Sequence, residues 1–173
     1  LGLYELLGRL ITDFPHILFE GCSGGGGRFD AGMLYYSPQI WCSDNTDAHE
    51  RTFIQYGTSF FYPISTVGSH VSAVPNHQTG RITSLDTRGI VAMAGSFGYE
   101  LDLSTLTEEE KETMKEQVKK YRQYQLLIHN GDYYRLTNPH NSRIAAWQWN
   151  DNTNGNVLVQ GVVFRAVANM VRD

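Results

Sequence analysis

Cysteines, clusters of basic residues and long apolar runs are all scarce in this sequence. Two cysteines among 173 residues are too few for a disulfide scaffold, and we expect them to be free thiols in a cytoplasmic protein. No apolar run approaches the roughly 20 residues that span a bilayer, and no basic-then-apolar stretch resembles a signal peptide. The 14 Lys and Arg residues face 18 Asp and Glu, for a net charge of −4. We therefore expect neither a nucleic acid nor a membrane among the partners.

The motifs that usually mark a metal, a nucleotide or a serine nucleophile are also missing. His70 and His77 lie in one loop without HxxxH or CxxC spacing, so structural or rim roles are predicted for them. No G-x-x-x-x-G-K-S/T or G-x-G-x-x-G motif indicates a nucleotide site. Ser23 and Ser43 lie outside any G-x-S-x-G elbow, which argues against a serine hydrolase. The sequence therefore predicts neither a metal nor another cofactor.

The apolar residues that are present predict an α/β fold followed by a smaller β domain. Helices are predicted over residues 3–11, 46–57 and 107–124, strands over residues 16–20, 39–43 and 89–96, and an apolar stretch interrupted by Pro63 over residues 59–65. This alternation is typical of a parallel sheet covered by helices. After the Asn130-Gly131 turn, Tyr-, Trp- and Val-rich runs predict an antiparallel β domain. We place the boundary between residues 128 and 129.

Both ends of the chain are expected to be cut from a larger protein. The first residue is Leu1, and the helical pattern is already under way there. The last residue, Asp173, lies just after an apolar run over residues 157–167 that is predicted to be a strand.

The first candidate site is the glycine-rich loop over residues 22–28, directly after a predicted strand. Consecutive glycines let a backbone approach a ligand closely and present N–H groups without side-chain obstruction. A flexible surface loop explains the same composition equally well, and a phosphate-binding loop is a weaker third interpretation.

The second candidate site is the loop over residues 41–47, where Asp44 follows a predicted strand. The carboxyl ends of the strands of a parallel barrel carry its catalytic groups, which favours a chemical role for this carboxylate. Without further context, capping of the next helix is the more common role of such an aspartate. Asp47 and Arg51 have the i, i+4 spacing of a structural ion pair. Trp41 could shape a site or belong to the core.

Taken together, these loops closely resemble the family 36 glycoside hydrolases. The resemblance is carried by residues 19–30 (FEGCSGGGGRFD), 41–48 (WCSDNTDA), 57–59 (GTS), 68–72 (GSHVS) and 95–102 (GSFGYELD). It implies that residues 1–128 are the second half of a (β/α)8 TIM barrel, strands five to eight. It also implies that residues 129–173 begin an antiparallel β-sandwich domain.

The same resemblance implies a retaining α-galactosidase acting on melibiose or raffinose-type oligosaccharides. Asp44 matches the family's general acid/base, and Cys22, Ser23, Gly24 and Gly25 match the loop that lines the galactose site. Retaining enzymes use a second carboxylate as the nucleophile. The family carries it in a Lys-Trp-Asp motif, and that motif is absent from this sequence.

Three further expectations follow from the resemblance. The 173 residues alone are predicted to be inactive, because no nucleophile is among them. The full-length enzyme is expected to be a homo-oligomer, and tetramers are common among bacterial relatives. A non-catalytic carbohydrate-binding or scaffold protein descended from such an enzyme is the alternative.

Overall fold

The computed structural model describes residues 2–22, 24, 26–27 and 29–163. The helices are α1 (Gly2–Asp13), α2 (Ala31–Tyr36), α3 (Ala48–Thr58), α4 (Leu85–Ala92) and α5 (Glu108–Asn130), with short 3-10 helices at Ile64–Thr66 and Leu103–Thr105. The strands are β1 (Glu20–Gly21), β2 (Gln39–Ile40), β3 (Gly68–Ser72), β4 (Ser96–Glu100), β5 (Asp132–Arg135), β6 (Ile144–Asp151) and β7 (Asn156–Val163).

The first four strands are parallel and lie side by side in chain order. β1 pairs with β2, and β3 pairs with β4. A parallel bridge between Ile40 and Val67 joins the two pairs. A helix follows each of the first three strands, namely α2, α3 and α4. Parallel strands in sequential order with intervening helices form half of an eight-stranded barrel, so the predicted α/β fold class is confirmed.

The last three strands form the antiparallel sheet that was predicted for the β domain. β6 pairs with β5 on one side and with β7 on the other. Trp147 and Trp149 alternate with half-buried residues along β6, and Trp149 is fully buried against Tyr133 of β5. Period-2 alternation of this kind is what a sheet with one packed face requires.

One hydrophobic core connects helices α3, α4 and α5 with strands β6 and β7 of the antiparallel sheet. Its buried members are Ala48, Ile64, Val67, Val91, Met93, Ala94, Tyr121, Ile128, Ala145, Trp147, Trp149 and Val162. Helix α5 contributes Tyr121 and Ile128 to this core and continues to Asn130, six residues beyond its predicted end. The boundary between residues 128 and 129 stays a prediction.

Two sequence-based assignments in the barrel part are wrong: the strand over residues 89–96 and the polar loop where β3 lies. In the stretch 89–96, which is predicted as a strand, residues 89–95 form the end of α4 and a turn, and β4 begins only at Ser96. Residues 59–65 form a turn that leads into a 3-10 helix. The third strand, β3, lies instead in a stretch expected to be a polar loop. Its first residues, Gly68 and Ser69, are small and give no run of apolar residues in the sequence, although both are buried.

Two further differences concern the first helices. Helix α1 is confirmed. The helical spacing of its apolar residues also predicts a buried stripe, and this prediction is wrong, since Leu3 and Leu6 are 44% and 51% exposed. Helix α2 was not predicted, although Asp30 caps it by accepting a hydrogen bond from the Met33 N–H. The run over residues 157–167 is β7 as far as Val163, and residues 164–173 lie outside the described residues.

Candidate active site

The two candidate loops follow neighbouring parallel strands and therefore emerge at the same edge of the sheet. The backbone N–H of Trp41 donates to the Gly21 carbonyl over 2.7 Å, which continues the pairing of β1 and β2 to the start of both loops. The carboxyl edge of a parallel sheet is where barrel enzymes assemble their active sites. The structure thus places the described residues of the first loop (22, 24, 26 and 27) and residues 41–47 at the edge where the sequence predicts a site.

Gly26 brings the backbones of the two loops into direct contact. Its φ is +91°, a conformation that L side chains rarely adopt. A methyl group built on Gly26 would lie 2.7 Å from the Cys42 carbonyl oxygen, closer than any real Cβ contact. Glycine is therefore required at this position for the loops to approach so closely.

Asp44 is exposed at this edge and does not cap a helix. The indole Nε1 of Trp41 donates a hydrogen bond to Asp44 Oδ1 at 3.1 Å. The N-cap of α3 is Asp47, whose carboxylate accepts from the His49 N–H at 2.8 Å. The capping interpretation of Asp44 is therefore wrong. Its carboxylate faces solvent, where a ligand can reach it.

The other predicted site residues are only partly described. Cys22 is an exposed free thiol, and Gly24 is exposed with a φ of +64°. Ser23 and Gly25 lie outside the described residues. The site roles of these four residues and of Asp44 stay predictions.

Arg51 is the residue of this region that the sequence analysis missed. Its side chain is buried, with the residue 4% exposed. The guanidinium donates to the Asn45 carbonyl (2.9 Å), the Ser43 carbonyl (3.0 Å), the Cys42 Sγ (3.2 Å) and the Gly68 carbonyl (3.3 Å). The acceptors belong to the loop after β2 and to the start of β3. One side chain therefore ties two neighbouring strand ends together.

The guanidinium also lies against the indole of Trp41. The Cζ of Arg51 is 4.4 Å from the centroid of that ring, within cation–π distance. Burial lowers the pKa of Arg51, but arginine remains charged because its ordinary pKa is so high. Burial also raises the pKa of the Cys42 thiol, an effect that the nearby Arg51 charge partly offsets. Cys42 therefore lies beside this cation as a neutral thiol.

The predicted ion pair between Asp47 and Arg51 is wrong, because Asp47 pairs with Arg81. The Arg81 Nη1 is 2.7 Å from Asp47 Oδ2, and the Thr79 hydroxyl donates to the same oxygen. Burial would raise the pKa of Asp47, but these bonds and the His49 N–H hold it below its ordinary value. This network fixes the start of α3 directly after the Asp44 loop.

His70 contacts the site through Trp41. Its ring centroid is 4.7 Å from that of Trp41, and its Nδ1 is 3.1 Å from Glu100 Oε2. His77 is exposed in the loop after β3. Among residues 2–22, 24, 26–27 and 29–163, no three His, Cys, Asp or Glu side chains are grouped to hold a metal ion.

The family model for melibiase matches residues 1–131. The chain belongs to the melibiase family. The predicted resemblance to the family 36 glycoside hydrolases is likewise confirmed, since the structural neighbours of this family member include GH36 α-galactosidases.

Two curated relatives and one solved structure show how far the similarity extends. The chain is 60% identical to the bifunctional α-galactosidase/sucrose kinase AgaSK of Mediterraneibacter gnavus over 98% of the chain and 18% of that protein. It is 57% identical to the α-galactosidase AgaA of Geobacillus stearothermophilus over 97% of the chain and 23% of that protein. A variant of AgaA crystallised with raffinose superposes with a TM-score of 0.96 and 55% identity, over 98% of this chain and 24% of that chain.

This family member therefore spans about a fifth of the length of the curated relatives it matches. None of its helices, over the part of the chain that the structure describes, is both long and apolar enough to cross a membrane.

Gly26→Ala is expected to lower the melting temperature of the complete protein that carries this chain more than Gly24→Ala does. Both positions have positive φ, so both substitutions carry a similar backbone cost of about 1 kcal/mol. Only at Gly26 does the new methyl group also meet the Cys42 carbonyl, which adds about 1–3 kcal/mol. Thermal unfolding of the two variants measures the difference, and equal shifts would contradict the contact between the loops.

Asp47→Asn is expected to lower the melting temperature near neutral pH, with a deficit that disappears in acid. Because the pKa of Asp47 is lower in the folded chain, its carboxylate stabilises the fold above the unfolded pKa of about 3.9. That contribution is lost as the pH falls through the folded pKa. Asparagine keeps an oxygen that can cap the helix, and it removes the charge together with the acceptor for Arg81 and Thr79. Unfolding measured from about pH 7 to about pH 3 tests this, and a deficit that stays constant would refute it.

Proposed function

We propose that this chain is part of a retaining α-galactosidase that hydrolyses terminal α-linked galactose in melibiose and raffinose-type oligosaccharides. Asp44 is its general acid/base. The observation that carries the proposal is an exposed carboxylate at the carboxyl edge of the parallel strands, bonded to Trp41 beside the glycine-rich loop. The complexed AgaA structure supports the substrate class, since raffinose is bound by a relative 55% identical to this chain.

In this mechanism the Asp44 carboxyl acts twice. In the first step its proton passes to the glycosidic oxygen while a second carboxylate attacks the anomeric carbon, so the leaving sugar departs as an alcohol. In the second step the Asp44 carboxylate takes a proton from water, whose oxygen displaces the enzyme carboxylate and releases galactose. The Trp41 Nε1–H donates to Asp44 Oδ1 at 3.1 Å and so orients the carboxyl group.

The galactose itself is proposed to lie against the glycine-rich loop. Cys22, Ser23, Gly24 and Gly25 are assigned to its lining because they match the family's galactose-binding loop. Exposure of Cys22 and Gly24 supports this assignment, since both are accessible to a ligand. The positive φ of Gly24 and the open space around it leave room for a sugar to approach the backbone.

The proposal extends to the assembly and the compartment of the complete enzyme. The complete enzyme is proposed to be a homo-oligomer, such as a tetramer. Side chains such as Leu18 and Phe61, 86% and 83% exposed, offer apolar area to other surfaces. A cytoplasmic location is supported by Cys22 and Cys42, both free thiols, as expected in a reducing compartment.

Asp44→Ala in the complete protein is expected to reduce kcat/KM for melibiose by about 10²- to 10⁴-fold. An activated aryl α-galactoside should lose much less in the first step, because its leaving group needs no proton. Azide should then restore turnover of the aryl substrate, because it replaces the water that Asp44 would otherwise deprotonate. Steady-state kinetics on both substrates measure this.

Asp86→Ala is the matched control, since Asp86 is an exposed carboxylate in the first turn of α4. It should leave both substrates unaffected. Equal losses on melibiose and on the aryl substrate in Asp44→Ala would show that Asp44 is not the acid.

The purified 173-residue chain is expected to release no aryl alcohol from an aryl α-galactoside. The covalent step needs a nucleophile, and the family's Lys-Trp-Asp motif is absent from these residues. Incubation of the chain beside the complete protein, at equal concentration, measures this. Turnover by the chain alone would contradict the assignment of the nucleophile to another segment. Galactose binding without hydrolysis by the complete protein would favour the non-catalytic alternative.

A further inference from the structure

We infer that Arg51 is the positioning residue that holds the carboxyl group of Asp44 in place for proton transfer. It does so through the backbone on either side of Asp44 and through the indole of Trp41. The inference rests on the proposed role of Asp44 as acid/base. Arg51 itself is not assigned a contact with the substrate.

The first argument is that the guanidinium holds the chain on both sides of Asp44. Its Nη2 donates to the carbonyl of Ser43, the residue before Asp44, and its Nε donates to the carbonyl of Asn45, the residue after it. The planar guanidinium presents N–H donors in a fixed fork, so these two bonds set the separation and the direction of both carbonyls. Asp44 has little freedom to move while both are held.

The second argument is that the guanidinium is itself anchored from three directions. Arg51 is in the first turns of α3, and its backbone N–H donates to the carbonyl of the cap residue Asp47 at 2.8 Å. Its Nη1 reaches the Gly68 carbonyl in β3 and the Cys42 Sγ. Arg51 thus fixes the position of the Asp44 loop relative to the start of α3 and to strand β3. Helices and strands are the more rigid parts of the fold.

The third argument concerns the side chain that touches the carboxylate. Trp41 lies under the Arg51 guanidinium, with 4.4 Å between Cζ and the ring centroid, and beside His70, with 4.7 Å between ring centroids. The same indole donates Nε1–H to Asp44. Arg51 therefore acts on the direction of this donor as well as on the backbone.

Arg88 provides a matched control for a purely structural effect. Like Arg51 it is buried, and its guanidinium donates to backbone carbonyls, those of Ser72 at 2.6 Å and Thr83 at 3.0 Å. Those carbonyls lie at the end of β3 and before α4, outside the Asp44 loop. Removing Arg88 therefore costs comparable packing without releasing Asp44.

The experiment compares Arg51→Met, Arg51→Lys and Arg88→Met in the complete protein, with Asp44→Ala as reference. For each variant, kcat/KM is measured on melibiose and on an aryl α-galactoside with a good leaving group, together with the melting temperature. A displaced acid should impair the substrate that needs protonation. Arg51→Met is therefore expected to lower melibiose turnover about tenfold or more beyond its effect on the aryl substrate.

For Arg51→Lys, the ratio of kcat/KM on the two substrates should lie between that of the parent and that of Arg51→Met, because an ammonium cannot reproduce the fork of donors of a guanidinium. If Arg51→Met does not fold, Arg51→Lys tests the inference in its place. Arg88→Met should lower the melting temperature with an unchanged ratio of the two substrates.

Two results overturn the inference, and they differ in what else they overturn. If Asp44→Ala changes the substrate ratio and the folded Arg51 variants do not, Arg51 is structural and the proposed function stands. If Asp44→Ala leaves the ratio unchanged, the proposed acid/base role and the inference both fail.

Discussion

The geometry of the candidate site depends on the hydrogen bonds and the ring contact of the buried Arg51 guanidinium. Burying a cation carries a desolvation penalty of several kcal/mol, which is offset only if its donors are satisfied. Here three backbone carbonyls, one thiol and the Trp41 ring surround it. The carbonyls of Ser43 and Asn45 belong to a loop outside the strand ladder, so they need partners that the sheet does not supply. One charged side chain meets that need and orders the loop.

Close backbone approach is the second constraint, and glycine makes it possible. At Gly26 the glycine-rich loop meets Cys42, so the first candidate loop rests on the loop that Arg51 orders. At Gly68 a Cβ atom would lie 3.0 Å from Glu20 Oε1 and 3.2 Å from Trp41 Cε3. A larger residue at either position would separate elements that the site brings together. Arg51 thus orders the Asp44 loop, and the glycine-rich loop in turn packs against the Asp44 loop.

The parts of this arrangement that sequence could predict are those with a local signal. Strand β2, helix α3 and both candidate loops lie within a few residues of their predicted places, because a short apolar run and a helical pattern mark them. Strand β3 and the role of Arg51 were missed because their signals are not local. Gly68 and Ser69 give no hydrophobic run, and the partners of Arg51 come from two separate strand ends. One clue was present: Ala48, Arg51, Thr52 and Gln55 share the i, i+3, i+4, i+7 face of α3, and all four are buried. Polar side chains along a buried helix face indicate that they make hydrogen bonds to backbone groups.

The central claim is that Asp44 is one of the two carboxyl groups that flank the scissile bond. It is tested most directly by a crystal structure of the complete protein with an unhydrolysed α-galactoside. We expect the Asp44 carboxyl to lie within hydrogen-bond distance of the glycosidic oxygen. A second carboxyl group, on the other side of the anomeric carbon, should lie roughly 5–5.5 Å from the Asp44 carboxyl. A galactosyl group bound away from Asp44, with two other carboxyls at that separation, would contradict the account.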